Sequence, residues 1–119
     1  MIYSVIHSSG EIHSQDGEFD ADIINLHTEG WFDVVTTTLP DETVLVGYVH
    51  DEGHLIGLEL NAVASAIFGR VLAGNVVICC GTNRMGEYDG ESYSLSPRQL
   101  AHIYSVREPI RFRPSPLPA

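Results

Sequence analysis

The sequence contains no lysine, and none of its six arginines precedes Arg70. Residues 1–69 carry twelve Asp and Glu and no arginine, a formal charge of −12, whereas residues 70–119 carry four acids and six arginines, or +2. Nonspecific affinity for nucleic acid comes mainly from Lys and Arg that neutralise phosphates. We therefore expect no direct binding to nucleic acid, and the acidic part favours a basic protein surface as its partner.

The sequence also lacks an apolar run near the ~20 residues that span a membrane, and its start resembles no signal peptide. This predicts no membrane association and a cytoplasmic location. The only cysteines, Cys79 and Cys80, are adjacent, so in a strand they point to opposite faces and cannot form an ordinary disulfide. Their apolar surroundings are typical of inert core thiols.

The length of 119 residues, with 44% hydrophobic residues, is enough to bury a core without disulfide or metal staples. No repeat, low-complexity tract or Ser/Gly linker divides the chain. We therefore predict one α+β domain over residues 1–110. Residues 111–119 are rich in proline, which does not pair within a sheet, and are predicted to form an extended tail.

A mainly antiparallel sheet of about five strands is predicted from alternating apolar and β-branched residues. The predicted strands are residues 2–7 and 11–13, which form a hairpin, residues 31–38, 44–49 and 54–58, which form a meander, and residues 76–80. Beyond Gly81 the alternation weakens, and residues 83–90 are predicted to form an exposed loop.

Two or three short helices are predicted from signals at their ends. The signals are Asp20 and Gly30 around residues 21–29, Asn61 and Gly69 for the second helix, and Ser96, Pro97 and Gln99 with Glu108-Pro109 for the third. Ser-x-x-Gln is a capping box, and proline suits the first helical position. We expect the first two helices to pack on one face of the sheet.

Four segments between residues 20 and 80 resemble, in order and spacing, a family found in phages and mobile elements, "domain of unknown function 3846". The matching segments are residues 30–35 (GWFDVV), 49–58 (VHDEGHLIGL), 60–64 (LNAVA) and 71–78 (VLAGNVVI). The resemblance implies the fold and a phage or mobile-element context, and it brings no catalytic residues with it.

The first functional hypothesis is a non-catalytic accessory protein that binds a host protein through its acidic surface, with inhibition of a host defence component as its role. Acids interleaved with tyrosine suit a protein interface, because tyrosine supplies contact area and acids steer association with a basic partner. The predicted contact residues, which lie in exposed turns and loops, are Asp51, Glu52, Glu87, Tyr88, Asp89, Glu91 and Tyr93.

Two rival functions stay open at this stage. One is a small-ligand binder that takes a nucleotide or signalling molecule through Arg84, Arg107 or Arg111, in a pocket between subunits of a homo-oligomer. The other is an enzyme with a histidine-lined site. His50 and His54 flank a turn without the His-Glu-x-x-His spacing, so we predict no metal and no cofactor, although His7 and His13 are expected to meet across the first hairpin.

Overall fold

The computed structural model describes the backbone of residues 1–111 and the side chains of residues 1–106. Its elements in chain order are β1 (Ile2–Ile6), β2 (Ile12–Asp16), α1 (Ala21–Thr28), β3 (Phe32–Thr38), β4 (Val44–His50), α2 (Ala62–Phe68), β5 (Val76–Thr82), β6 (Tyr88–Tyr93) and α3 (Pro97–Arg111). The six strands form one antiparallel sheet, which confirms the predicted α+β class.

Strand β5 lies at the centre of the sheet, whose order is β2-β1-β5-β4-β3. Strand β1 pairs with β5 only through Val76, Val77 and Ile78, which leaves the same side of β5 open further along. Strand β6 pairs there with Cys80 and Thr82. The predicted loop over residues 83–90 is therefore wrong in its second half, because Tyr88 already begins β6.

The helices lie on both faces of the sheet, so the predicted packing of the first two on one face is wrong. Strands β4 and β5 are buried at nearly every position, which requires cover on both sides. One core lies under α2 and α3, and it contains Leu45, Ile78, Phe68 and Ile103. The other lies under α1 and contains Tyr3, Val46, Tyr48, Val77 and Cys79.

The capping signals of the three helices are confirmed. Asp20 accepts a hydrogen bond from Ile23 N–H at 2.9 Å, and Asn61 accepts one from Ala64 N–H at 3.0 Å. Ser96 Oγ accepts from Gln99 N–H at 3.1 Å, while Gln99 Oε1 accepts from Ser96 N–H at 2.9 Å, which completes the capping box. Local sequence therefore fixes where each helix begins.

Two predicted helix ends differ from the structure. Helix α1 ends on Glu29, whose φ of 66° is left-handed and whose N–H donates to Asn25 O, so Gly30 is not the cap. Gly30 is needed for close approach instead, because a Cβ there would lie 2.7 Å from His50 Nε2. Helix α3 continues past Glu108-Pro109 to Arg111, while the predicted tail beyond it lies outside the described residues.

The predicted strand over residues 54–58 is a turn. Its backbone bonds close on themselves, since Ile56 N–H donates to Glu52 O at 3.0 Å and Leu58 N–H to Gly53 O at 2.9 Å. These groups are therefore not free to form a ladder with β4. Gly57, with a φ of 74°, ends this turn, which we name the β4–α2 turn (residues 51–57).

Candidate functional site

The hairpin between β5 and β6 presents most of the predicted contact residues on a tightly bonded turn. Asn83 organises this turn, because its Oδ1 accepts from Met85 N–H at 2.8 Å and from Glu87 N–H at 3.0 Å. Its backbone N–H also donates to Glu87 O at 2.8 Å. The next two acids, Asp89 and Glu91, are thus held on the ordered strand β6. The sequence had predicted a loop at Asp89.

Asp89 and Tyr93 bond to each other within this hairpin. The Tyr93 hydroxyl donates to Asp89 Oδ2 at 2.5 Å, and Glu91 N–H donates to Asp89 Oδ1 at 3.0 Å. The Tyr93 bond, followed by the Glu91 bond, lowers the pKa of Asp89. The same carboxylate raises the pKa of Tyr93 to about 12. Two of the seven predicted contact residues therefore hold β6 in shape.

Glu87, Tyr88 and Glu91 are free for contact in a way that Asp89 and Tyr93 are not. All three are exposed, and Tyr88 is half accessible while its ring rests on the sheet above Gly81. A Cβ at Gly81 would lie 2.9 Å from the Tyr88 ring and 2.6 Å from Val46 Cγ2. Glycine at this position is therefore what allows the aromatic ring to lie against β5.

Tyr88 belongs to an uncovered part of the sheet on the side of α1. Helix α1 has only eight residues, and on its side of the sheet Val34, Thr36 and Tyr88 are exposed. Val34 is 49% exposed and Tyr88 is 50% exposed, which is high for large apolar side chains on a sheet. We name Val34, Thr36 and Tyr88 the open face.

Acidic side chains lie at the surface throughout residues 1–106. Each of the fifteen Asp and Glu within residues 1–106 is exposed. Within that part of the chain, the ion pairs of the acids are with the amino terminus or with histidine, and none is with an arginine. The acids without such a pair, Glu87 and Glu91 among them, are therefore available to an external cation.

Asp51 and Glu52, the other predicted contacts, lie in the β4–α2 turn at the opposite end of the sheet. The turn that joins β5 to β6 lies near the β3–β4 turn, at the other end of β4. The seven residues of β4 therefore separate it from the β4–α2 turn. At about 3.3 Å per residue, the separation is about 20 Å. The structure therefore does not bring the two predicted acidic segments together.

A cavity of about 240 Å³ is lined by Asp51 and also by Asp33, His50, His54 and Arg70. Its two histidines are already bonded: His50 Nδ1 accepts from Glu52 N–H at 3.0 Å, and His54 Nε2 lies 3.1 Å from Val71 O. These hydrogen bonds hold the β4–α2 turn against the end of β4 and against Val71. The sequence missed Asp33 and Arg70, since no short spacing connects them to His50.

The predicted meeting of His7 and His13 across the first hairpin is confirmed, with ring centroids 5.0 Å apart. Burial, followed by the charge of His7, lowers the pKa of His27. Among the described residues, no group of three or more His, Cys, Asp or Glu converges on a position that could hold a metal ion.

The two cysteines are buried, unpaired and turned to opposite faces, as predicted. Burial raises the pKa of Cys79, which keeps its thiol protonated. Cys80 Sγ accepts hydrogen bonds from Thr82 N–H at 3.3 Å and from Gln99 Nε2 at 3.3 Å. Cys80 therefore links β5 to α3.

The structure describes the side chain of one of the three arginines in the small-ligand hypothesis. Arg84 is exposed in the β5–β6 turn. The backbone of α3 includes Arg107 and Arg111, but their side chains lie outside the described residues.

No helix in the described part of the chain is long and apolar enough to cross a membrane.

Comparisons with protein-family models, with curated proteins and with solved structures find no match. The resemblance to the phage family therefore stays a prediction.

Proposed function

We propose that this protein is a non-catalytic binding protein that attaches to a basic surface of a host protein through the open face and β6. The observation that carries the proposal is that half-exposed Tyr88 follows exposed Glu87 directly and shares β6 with exposed Glu91. Protein interfaces combine an apolar, aromatic centre with a charged rim. The acids steer encounter, and the aromatic ring supplies contact area.

The net charge of −10 supports a basic partner, since a field of this sign attracts positively charged surfaces over several ångströms. The resemblance to a phage and mobile-element family supplies the context of the proposal. In that context the protein is an accessory factor that acts on a host component, with a defence protein as its target.

The two rival functions remain hypotheses with less support from the described contacts. A small-ligand site would need Arg84 to act with side chains that the structure does not describe. A histidine-lined catalytic site would need His50 and His54, whose ring nitrogens Nδ1 and Nε2, respectively, already bond to backbone. We therefore place the binding surface on β6.

The test is affinity capture from host lysate with wild-type protein, followed by purification of the captured partner and titration calorimetry. The site variant is Glu87→Gln with Glu91→Gln, which leaves Asp89 in place to hold the hairpin. We expect the variant to bind about tenfold or more weakly, and wild-type binding to weaken as salt rises.

The matched control is Asp51→Asn with Glu52→Gln, which removes the same charge at the far end of the sheet. This control should bind as wild type does. Equal weakening by both double variants would show that only net charge matters. A partner held equally by wild type and the Glu87→Gln, Glu91→Gln variant would remove β6 from the interface.

A further inference from the structure

Strand β3 is a free edge of the sheet, since it pairs only with β4 among the strands of residues 1–111. Asp51 N–H donates to Trp31 O at 3.0 Å, and Leu39 N–H donates to Thr43 O at 2.8 Å. Odd-numbered residues thus turn their backbone groups toward β4. The even-numbered residues turn theirs outward, to the free edge. They are Phe32, Val34, Thr36 and Thr38.

This edge has little of the protection that natural edge strands carry. Its seven residues contain no lysine and no proline, and Asp33 is their single charge. Charges, prolines and bulges are the usual means of preventing a strand from pairing with another chain. The edge is therefore open to a further strand.

The edge is also self-complementary. In an antiparallel pairing of two copies centred on Val35, Val34 lies opposite Thr36 of the second copy and Phe32 lies opposite Thr38. All four outward-facing residues of each copy are then bonded. Asp33 faces Thr37 of the second copy, so no two like charges within the strands are opposed.

The same register places the single tryptophan of the chain opposite a cavity. Trp31 is 78% exposed, and one residue beyond β3 it lies opposite Leu39 of the second copy. Alternation along the strand puts both side chains on the same face. Leu39 lines an open cavity of about 480 Å³ together with Pro40, Arg98 and His102. Arg98 can stack on an indole ring there.

We propose that two copies of this chain pair through antiparallel β3 strands, with Trp31 of each copy entering the Leu39–Arg98 cavity of the other. Two buried tryptophans contribute about 300–500 Å² and cover a similar area of the cavities. With the two strand edges, the contact reaches about 1,000 Å², which suits a weak, specific dimer. The proposal does not depend on the proposed host partner.

Charge sets how this dimer responds to salt. Each copy carries a formal charge of −10, so two copies repel each other. This repulsion is screened as ionic strength rises. The dimer should therefore strengthen with salt, whereas binding to a basic host partner should weaken.

The test is sedimentation of the whole chain from micromolar to millimolar concentration, in about 0.05 M and about 0.5 M salt. We expect a monomer–dimer equilibrium that shifts to dimer at high salt, with a blue shift of Trp31 fluorescence as dimer forms. Amide exchange should slow with concentration at the even-numbered residues of β3 and stay unchanged at the odd-numbered ones.

Three variants and one control variant assign the contact. Trp31→Ala should weaken the dimer about 30-fold or more, while Leu26→Ala, which removes an exposed leucine of α1, should not. Thr36→Pro removes one outward N–H and should also weaken it. Thr36→Lys keeps the backbone donor and places a charge at the same edge position, so it should weaken the dimer as well.

Several outcomes would overturn the proposal. They are a monomer at every concentration, a dimer whose Trp31 fluorescence does not change, and protection of the even-numbered amides that is independent of concentration. The last result would mean that another part of the chain covers the edge. Loss of the host partner with the dimer intact would count against the proposed function alone.

Discussion

The two faces of the sheet are built from the same strands, yet they bury their side chains to different extents. On the side of α2 and α3, Ile78 and Ile103 are fully buried, and the polar Asn61 and Gln99 are buried with hydrogen-bond partners. On the side of α1, Val34 and Tyr88 are half exposed. The difference indicates that α1 covers only part of its face of the sheet, which leaves the rest of that face available for binding.

Phe68 shows how closely the covered face is packed. A Cβ at Gly47 would lie 2.7 Å from Phe68 Cζ, so the strand has no side chain where the ring of α2 meets it. On the side of α1, by contrast, a Cβ at Gly81 would meet Val46 and the ring of Tyr88, which is itself half exposed. Packing of the first kind tolerates little change.

The largest expected effect tests this contrast directly. Phe68→Ala should lower the free energy of unfolding by about 3–5 kcal/mol, because it leaves a cavity under α2. Val34→Ala on the open face should change it by no more than about 0.5 kcal/mol. Urea unfolding measures both, and similar losses for the two variants would contradict the division of roles between the faces.

Asn61 on the covered face should come next. Besides capping α2, its Nδ2 donates to Ile6 O and Gly74 O, both at 2.9 Å. Asn61→Ala should therefore cost about 2–4 kcal/mol, of which capping accounts for about 1 kcal/mol. Asn61→Ser keeps a capping oxygen but no amide donor, so its cost should be smaller. Equal costs for the two variants would show that the cap contributes nothing.

The core under α1 should be sensitive to alkali. Burial raises the pKa of Tyr48 to about 12 from an ordinary 10.0, although its bond to Ser92 acts in the opposite direction. The unfolded chain loses this proton from about pH 10. The stabilisation is thus present below pH 10 and is lost as pH rises toward 12. Tyr48→Phe should flatten this fall in urea-unfolding free energy; an unchanged slope would contradict it.

The smallest effect concerns the order of β6. Tyr93→Phe removes the hydroxyl that chiefly lowers the pKa of Asp89, so that pKa should return toward 3.8. The stabilisation from the lowered pKa of Asp89 is present at pH values above its pKa in the unfolded chain. It is lost as pH falls through the pKa of the folded state. An NMR titration of the Asp89 carboxyl measures the shift, with Tyr88→Phe as the control. No shift would place the bond elsewhere.

The sequence predicted best the features that depend on neighbouring residues. The cap at Asn61 and the Ser96–Gln99 box each join residues three apart, so their chemistry is visible in the letters. The faces occupied by the helices were not predicted correctly, because they depend on how β1 and β4 flank β5. Strand β6 was missed for the same reason, since its partner is a stretch of β5 that β1 leaves open.

The candidate site was predictable only in part. Exposure of Glu87 and Tyr88 follows from their polar, glycine-punctuated segment. The bond that withdraws Tyr93 from contact depends on the bend at Gly90, whose φ is 84°. The exposure of Val34 depends on how far α1 reaches across the sheet, and no local pattern contains that information.

The position of β5 in the sheet also sets the order in which the chain can fold during its synthesis. Strand β1 emerges first, yet its central partner begins only at Val76. Until then the ribosome carries two separate hairpins, and an isolated hairpin is marginally stable in water. Pairing over so long a stretch of chain is slow. The nascent protein therefore exposes the apolar strands of both hairpins through most of its translation, and apolar surface exposed in this way is prone to aggregation.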